Sequence, residues 1–153
     1  MVVFVMEQEL INLLDPDLKC LDCKIKSDVV IIEVCSSKVH AVCPYCGNSS
    51  ARTHSTYQRE IQDIPLHDKQ TILLLNVRKM FCDNPNCSHK TFSERFGFIS
   101  PNGKKTTRLI ERILMTSVKL SSVSASALLK ADSIQVSKSS ICDLLKKNAS
   151  TCG

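Results

Sequence analysis

Four of the nine cysteines in this 153-residue chain stand in two close pairs. Cys43-Pro44-Tyr45-Cys46-Gly47 spaces its thiols as CxxC, and Cys82 and Cys87 follow as CxxxxC. Zn²⁺ takes four ligands in a tetrahedron with Zn–S near ~2.3 Å, and two tight turns that each offer two thiolates from one side supply that geometry. Short spacing also lets the backbone N–H groups of each turn point at its own sulfurs. Gly47 allows a left-handed residue where such a turn needs one, and Pro44 stiffens its first step. The expected cofactor is one structural Zn²⁺ on Cys43, Cys46, Cys82 and Cys87. The 35 residues between Cys46 and Cys82 exceed the commonest ribbon spacing.

The remaining metal-capable side chains read differently. Cys20-Leu21-Asp22-Cys23 is also CxxC, but it falls in an expected strand, where positions i and i+3 point to opposite faces. It also lacks Gly and Pro, so it reads as strand and not as half of a metal site. Cys35, Cys142 and Cys152 read as ordinary small side chains. His89 could stand in for Cys87, but four cysteines are the simpler set. His40, His54 and His67 lie in polar loops and read as solvated. A thiol redox enzyme using Cys43 and Cys46 would require a βαβ setting for its CxxC, whereas this one lies between extended segments and has a second thiol pair as partner.

Composition narrows the setting. The opening Val2-Val3-Phe4-Val5-Met6 has no basic start, runs into Glu7 and Glu9, and is too short to span a bilayer. With no secretory signal and an odd cysteine count, a disulfide framework is disfavoured and a reducing cytoplasm is expected. Aromatic residues make up 5% and Trp is absent, so a bound metal would help a core short of large side chains. The net charge of +5 is unevenly spread: residues 1–100 hold 11 basic and 12 acidic groups, net −1, and residues 101–153 hold 9 and 3, net +6. A basic segment of that kind points to a polyanion, usually nucleic acid.

The elements that must position these groups follow from periodicity. Val3, Met6, Leu10, Leu13 and Leu14 recur at helical spacing and predict a helix over 3–14, ended by Asp15-Pro16-Asp17. Cys20–Lys26 and Val29–Cys35 predict a hairpin turning at Ser27-Asp28. Tyr57–Ile64 predicts a strand stopped by Pro65, and Thr71–Arg78 predicts another beyond a turn at Leu66–Lys69. Ser100-Pro101-Asn102-Gly103, built of turn formers, is the expected linker. Beyond it, Thr107 is expected to cap a helix with Ile110, Ile113, Leu114 and Leu120 inward. Ser121 or Ser122 should cap a second with Val123, Ala127 and Leu128 inward, and Ser137 a third with Ile141, Leu144 and Leu145 inward. The expected fold class is α+β: a small zinc-ribbon-like β domain with an N-terminal helix over residues 1–100, then a helical helix-turn-helix domain over 101–153.

In a helix-turn-helix the third helix reads the DNA. Its outward face would present Ser139, Ser140, Asp143, Lys146 and Lys147, with Lys138 at its start. Hydroxyls can contact bases or phosphates, and lysines neutralise phosphates. Lys104, Lys105, Arg108 and Arg112 would add backbone contacts from the first helix.

Several strings together carry a resemblance. Cys43-Pro44-Tyr45-Cys46-Gly47, Gln62-Asp63-Ile64-Pro65, Phe81-Cys82-Asp83-Asn84-Pro85-Asn86-Cys87 and Lys90-Thr91-Phe92-Ser93-Glu94-Arg95-Phe96 resemble the N-terminal part of bacterial insertion-sequence transposases of the ISL-three family. The resemblance spans about Leu10 to Lys147. It implies a zinc finger and a helix-turn-helix that together recognise the element's terminal inverted repeats in double-stranded DNA. A homodimer is a further expected partner apart from that resemblance, and the sequence does not give the oligomeric state. In the family a DDE nuclease domain follows. Only Ala149–Gly153 remain here after the third helix, so the chain is expected not to be an enzyme. A zinc-ribbon adaptor that binds protein instead of DNA is the alternative, and it would be favoured by lysines scattered over all faces of the helical segment.

Overall fold

The computed structural model describes residues 2–151, with side-chain burial defined from Met6 to Ala149. The expectations for Cys152 and for the side chain of Val3 lie outside the described residues. In chain order the elements are α1 (Val2–Leu14), β1 (Leu18–Ile25), β2 (Val29–Ser36), β3 (Ala41–Val42), β4 (Ser49–Ser50), β5 (Thr53–Leu66), β6 (Lys69–Phe81), β7 (Thr91–Ser93), α2 (Thr107–Ser117), α3 (Ser122–Ala131) and α4 (Lys138–Thr151).

Helix α1 stands where expected but presents another face. Ile11 is buried and Leu14 half-buried, whereas Met6, Leu10 and Leu13 are 65%, 40% and 77% exposed. The cause is polar: the Gln8 side chain donates to the Leu18 carbonyl at 2.8 Å and accepts from the Cys20 N–H at 2.9 Å. Those two bonds to β1 fix the helix rotation, and the Met6–Leu10–Leu13 stripe is left on the opposite side.

The main sheet runs β1-β2-β6-β5, with β7 also paired to β6. The β1–β2 hairpin turns at Ser27-Asp28, where the Lys26 N–H meets the Val29 carbonyl at 2.8 Å. Strands β2 and β6 pair in parallel, Val30 beside Thr71 and Val34 beside Leu75, while the other pairs are antiparallel. Alternate residues of β2 and β6 point to one buried face, as a period of two requires. Val30, Ile32, Val34, Leu73, Leu75 and Val77 pack there against Ile61, Ile11, Phe98 and Ile99.

Strand β5 continues through Pro65 instead of stopping before it. It is the last strand of the path, and its ladder skips from Asp63 to Leu66, so the missing proline N–H breaks no sheet bond. The β5–β6 turn places His67 and Asp68 at φ 48° and 60°, two left-handed residues that suit the twist of a tight hairpin.

Cys20 and Cys23 depart from the period-two expectation. The β1–β2 register shifts between Cys20 and Asp22, so Cys20 faces Val34 and Cys23 faces Ile32. Leu21 is the extra residue of a bulge, and both thiols return to the core face, where burial pushes their pKa values up.

Helices α2, α3 and α4 bury Leu109, Ile113, Ala125, Leu129, Ile134 and Ile141 together. Ser121 caps α3 by accepting from the Ser124 N–H, and Ser137 accepts from the Ser140 N–H at 3.1 Å at the start of α4. The cap of α2 is Thr106, one residue before the expected Thr107. On α3, Val123 and Leu128 are 59% and 47% exposed, and Ala125 and Leu129 face inward instead. Both sets have helical spacing, and packing against α2 and α4 selects the one with the small Ala125 at the contact.

These helices are fastened to β5. The Gln62 N–H meets the Lys104 carbonyl at 2.9 Å, and the Thr106 N–H meets the Gln62 carbonyl at 3.0 Å. Ser133 Oγ donates to the Asp68 carbonyl at 2.6 Å. Ser100–Gly103 is therefore a turn held at both ends: Gly103 N–H to the Ser100 carbonyl at 2.9 Å, and Arg59 Nη2 to the Gly103 carbonyl at 2.5 Å. A Cβ on Gly103 would stand 3.1 Å from Ile99 Cγ1 and 3.2 Å from the Ser100 carbonyl oxygen, so the close turn favours glycine.

Candidate functional site

The two cysteine pairs meet. Strands β3 and β4 form the first knuckle, in which the Cys43 N–H bonds the Asn48 carbonyl and the Gly47 N–H bonds the Cys43 carbonyl, both at 2.8 Å. Gly47 adopts φ 80°, the left-handed residue the turn requires. The end of β6 and the start of β7 form the second, closed by the Cys82 N–H to the Lys90 carbonyl at 2.8 Å. The β5–β6 hairpin carries the second knuckle to the first, with the Phe81 N–H bonded to the Arg52 carbonyl at 2.9 Å. Beneath the sulfurs, Ala41, Met80 and Phe92 form a small apolar floor.

The four Sγ atoms of Cys43, Cys46, Cys82 and Cys87 lie within 4.8 Å of one another, with Cys43–Cys87 at 4.0 Å and Cys46–Cys82 at 3.5 Å. A tetrahedron with arms near ~2.3 Å has edges of roughly 3.8 Å, so the sulfurs already stand at ligand spacing. The backbone completes the fit: Cys46, Cys82 and Cys87 each accept from the N–H two residues onward, at Asn48, Asn84 and His89. The Asn48 N–H and neighbouring side-chain donors bring Cys46 down to about 6. At Cys82 the Asn84 N–H pulls the same way, but burial and the adjoining thiols Cys46 and Cys43 outweigh it and push the group up to about 12. A dication removes that conflict, and the site fits one structural Zn²⁺.

His89 is not a ligand in this geometry. Its ring stacks on Tyr45 at 3.5 Å between centroids and 8° between planes, joining the second knuckle to the first from outside. Sequence reasoning missed that pairing, although a tyrosine inside CxxC and a histidine two residues after the last cysteine were both visible. His54 bonds Ser55 and packs edge-on to Phe81, over which Arg52 also lies.

The residues named for DNA contact divide. Lys104, Lys105, Ser140, Asp143 and Lys147 line one groove of about 540 Å³ between the Ser100–Gly103 turn and α4. Lys138, Ser139, Lys146 and Arg112 are exposed on the helices, outside that groove. Ser140 is half-buried and also hydrogen-bonds Ser137. Arg108 turns inward: its Nε and Nη2 donate to Asp63 at 2.9 and 2.5 Å, making it a joint between α2 and β5. Burial and the charge of Lys104 lower the pKa of Lys105.

Residues 40–89, about a third of the chain, match the family described as the zinc-finger of transposase IS204/IS1001/IS1096/IS1165. The matched segment contains all four clustered cysteines. No curated protein and no solved structure matches the chain. Among the described residues no helix is long and apolar enough to cross a membrane.

Proposed function

We propose that this chain is the DNA-binding part of an insertion-sequence transposase, in which the zinc ribbon and a helix-turn-helix formed by α2–α4 recognise the terminal inverted repeats of the element. The observation that carries the reading is the coincidence of a transposase zinc-finger match with a basic three-helix unit fastened to the same sheet. The short α3–α4 turn, with Ile134 buried in it, suits a helix-turn-helix. Two copies of the chain on two inverted ends is the corresponding assembly.

The role assigned here is binding without strand transfer. Its support is local: Asp63 is held by Arg108 and Thr106, Asp83 pairs with Arg52, and Glu94 pairs with Arg78. Carboxylates tied to arginines in this way are poor ligands for the pair of metal ions that strand transfer uses.

The test is fluorescence anisotropy with duplexes carrying the inverted repeats that flank the chain's gene, against scrambled duplexes of equal length. Tighter binding to the repeats supports the reading. Equal binding to both, or none at low salt, overturns it.

A further inference from the structure

Three hollows share lining residues in sequence. The first, of about 230 Å³, lies between the zinc knuckles and the Ser100–Gly103 turn and includes Tyr45, Tyr57, Arg95 and Asn102. The second, of about 300 Å³, shares Tyr57, Arg59, Pro101 and Asn102 with it. The third is the α4 groove, which shares Pro101, Asn102, Gly103 and Lys104 with the second. The hollows therefore run on as one channel, from the exposed Tyr45 ring over the turn to Lys147 on α4.

We infer that this channel is a single phosphodiester track, so that the zinc knuckles and α4 grip one continuous stretch of duplex DNA through the surface between them. The inference rests on the function proposed above and adds the path the DNA takes. Charge is the first argument. Arg95, Lys104 and Lys105 lie along the track, and none of them forms an ion pair among the described residues. Lys105 is half-buried, so its charge is partly stripped of water with no carboxylate to answer it. Buried charges are ordinarily paired, and a backbone phosphate is the partner that a groove open to solvent admits.

Rigidity is the second argument. Arg59 and Gln62 hold the turn from β5, and Gly103 permits its close bend. Tyr57 is fixed by a 3.1 Å hydrogen bond to Ser93 Oγ, and Tyr45 by its stack on His89. Both tyrosines remain 50% and 43% exposed, Tyr45 the more. Groups held in place before binding lose little freedom when a ligand arrives. The exposed Glu60 lines the hollow beside the α4 groove, and Asp143 is the acid that lines the groove itself. A carboxylate there rejects phosphate and can accept from a cytosine amino group, so the backbone must pass on the lysine side of the groove.

The experiment measures the affinity of the full zinc-loaded chain for a fluorescein-labelled 25-base-pair duplex of random sequence across a salt series, for the native chain and for R95A, K104A, Y45A and K146A. Each phosphate contact contributes about 0.9 to the slope of log affinity against log salt. On a continuous track, R95A and K104A each lower that slope by about 1, with zinc content and unfolding midpoint unchanged, and Y45A weakens binding severalfold. Slopes for R95A and K104A equal to native, with K146A still reducing it, overturn the track while leaving helix binding intact. Absence of duplex binding by the native chain removes the parent proposal instead. Tighter binding of the single-stranded version, lost in Y45A, overturns the duplex assignment.

Discussion

Asp63 on β5 and Arg108 on α2 form a two-bonded pair, with the Asp63 side chain 4% and the Arg108 side chain 35% exposed. The same carboxylate accepts from Thr106 Oγ1 at 2.7 Å, the residue that caps α2. One acid thus ties the sheet, the helix cap and the helix's first turn together. R108A is expected to cost about 2–4 kcal/mol, because it leaves a buried carboxylate without its cation. In a double-mutant cycle read by urea unfolding, D63N/R108A should recover part of that loss. Additive single effects would show that the pair contributes no coupling.

One zinc per chain is the expected stoichiometry, by elemental analysis of protein purified without added metal. C43S, C46S, C82S and C87S should each reduce zinc content and destabilise the knuckles. The sheet around Ile61, Leu73 and Leu75 should survive chelation, since its packing is separate from the floor of Met80 and Phe92. Hydrogen exchange before and after chelator would localise the loss. Full zinc content in any one of the serine variants would argue for a different ligand set.

Y45A is expected to remove a stacked pair worth about 0.5–1.5 kcal/mol. Because the stack spans both knuckles, the loss should appear as faster transfer of zinc to a colorimetric chelator, with little change in the global unfolding midpoint. An unchanged transfer rate would mean that the stack does not hold the knuckles together.

Lys105 gives a pH signature. Burial and Lys104 hold its pKa below the usual 10.5, and a phosphate beside it would raise that value again. Binding then takes up a proton where free Lys105 is partly neutral, so affinity falls as pH rises through that alkaline range. K105A should flatten the profile. Titration calorimetry in buffers of different ionisation heat measures the proton directly.

D143N should tighten binding to random duplex and narrow the gap between inverted-repeat and scrambled DNA. The carboxylate repels backbone phosphate in every sequence, whereas it can favour only a sequence that offers a donor. A weaker random affinity in D143N would oppose this placement.

The cysteine site was legible because its signal is local: thiols with two or four residues between them, in turns marked by Gly and Pro, can face one ion. The hairpins were legible for the same reason. Helix rotation was not. On α1 the apolar stripe named Met6, Leu10 and Leu13, but Gln8 bonded β1 and turned that stripe outward. On α3 two overlapping stripes were available, and only contact with α2 and α4 chose between them. Cys20 and Cys23 came to share a face through a bulge at Leu21 that no residue type announces. Arg108 looked like any other basic residue of the last third until β5 brought Asp63 beside it.

The parallel pairing of β2 with β6 bears on how the chain is made. Between them lie the whole first knuckle and β5. During synthesis Cys43 and Cys46 leave the ribosome well before their metal partners, and the ladder from Val30 to Thr71 cannot close until the β5–β6 hairpin has followed. Contacts so distant along the chain form late and slowly. The zinc site therefore cannot be complete until Cys87 has been made, after the β5–β6 hairpin and before α2–α4.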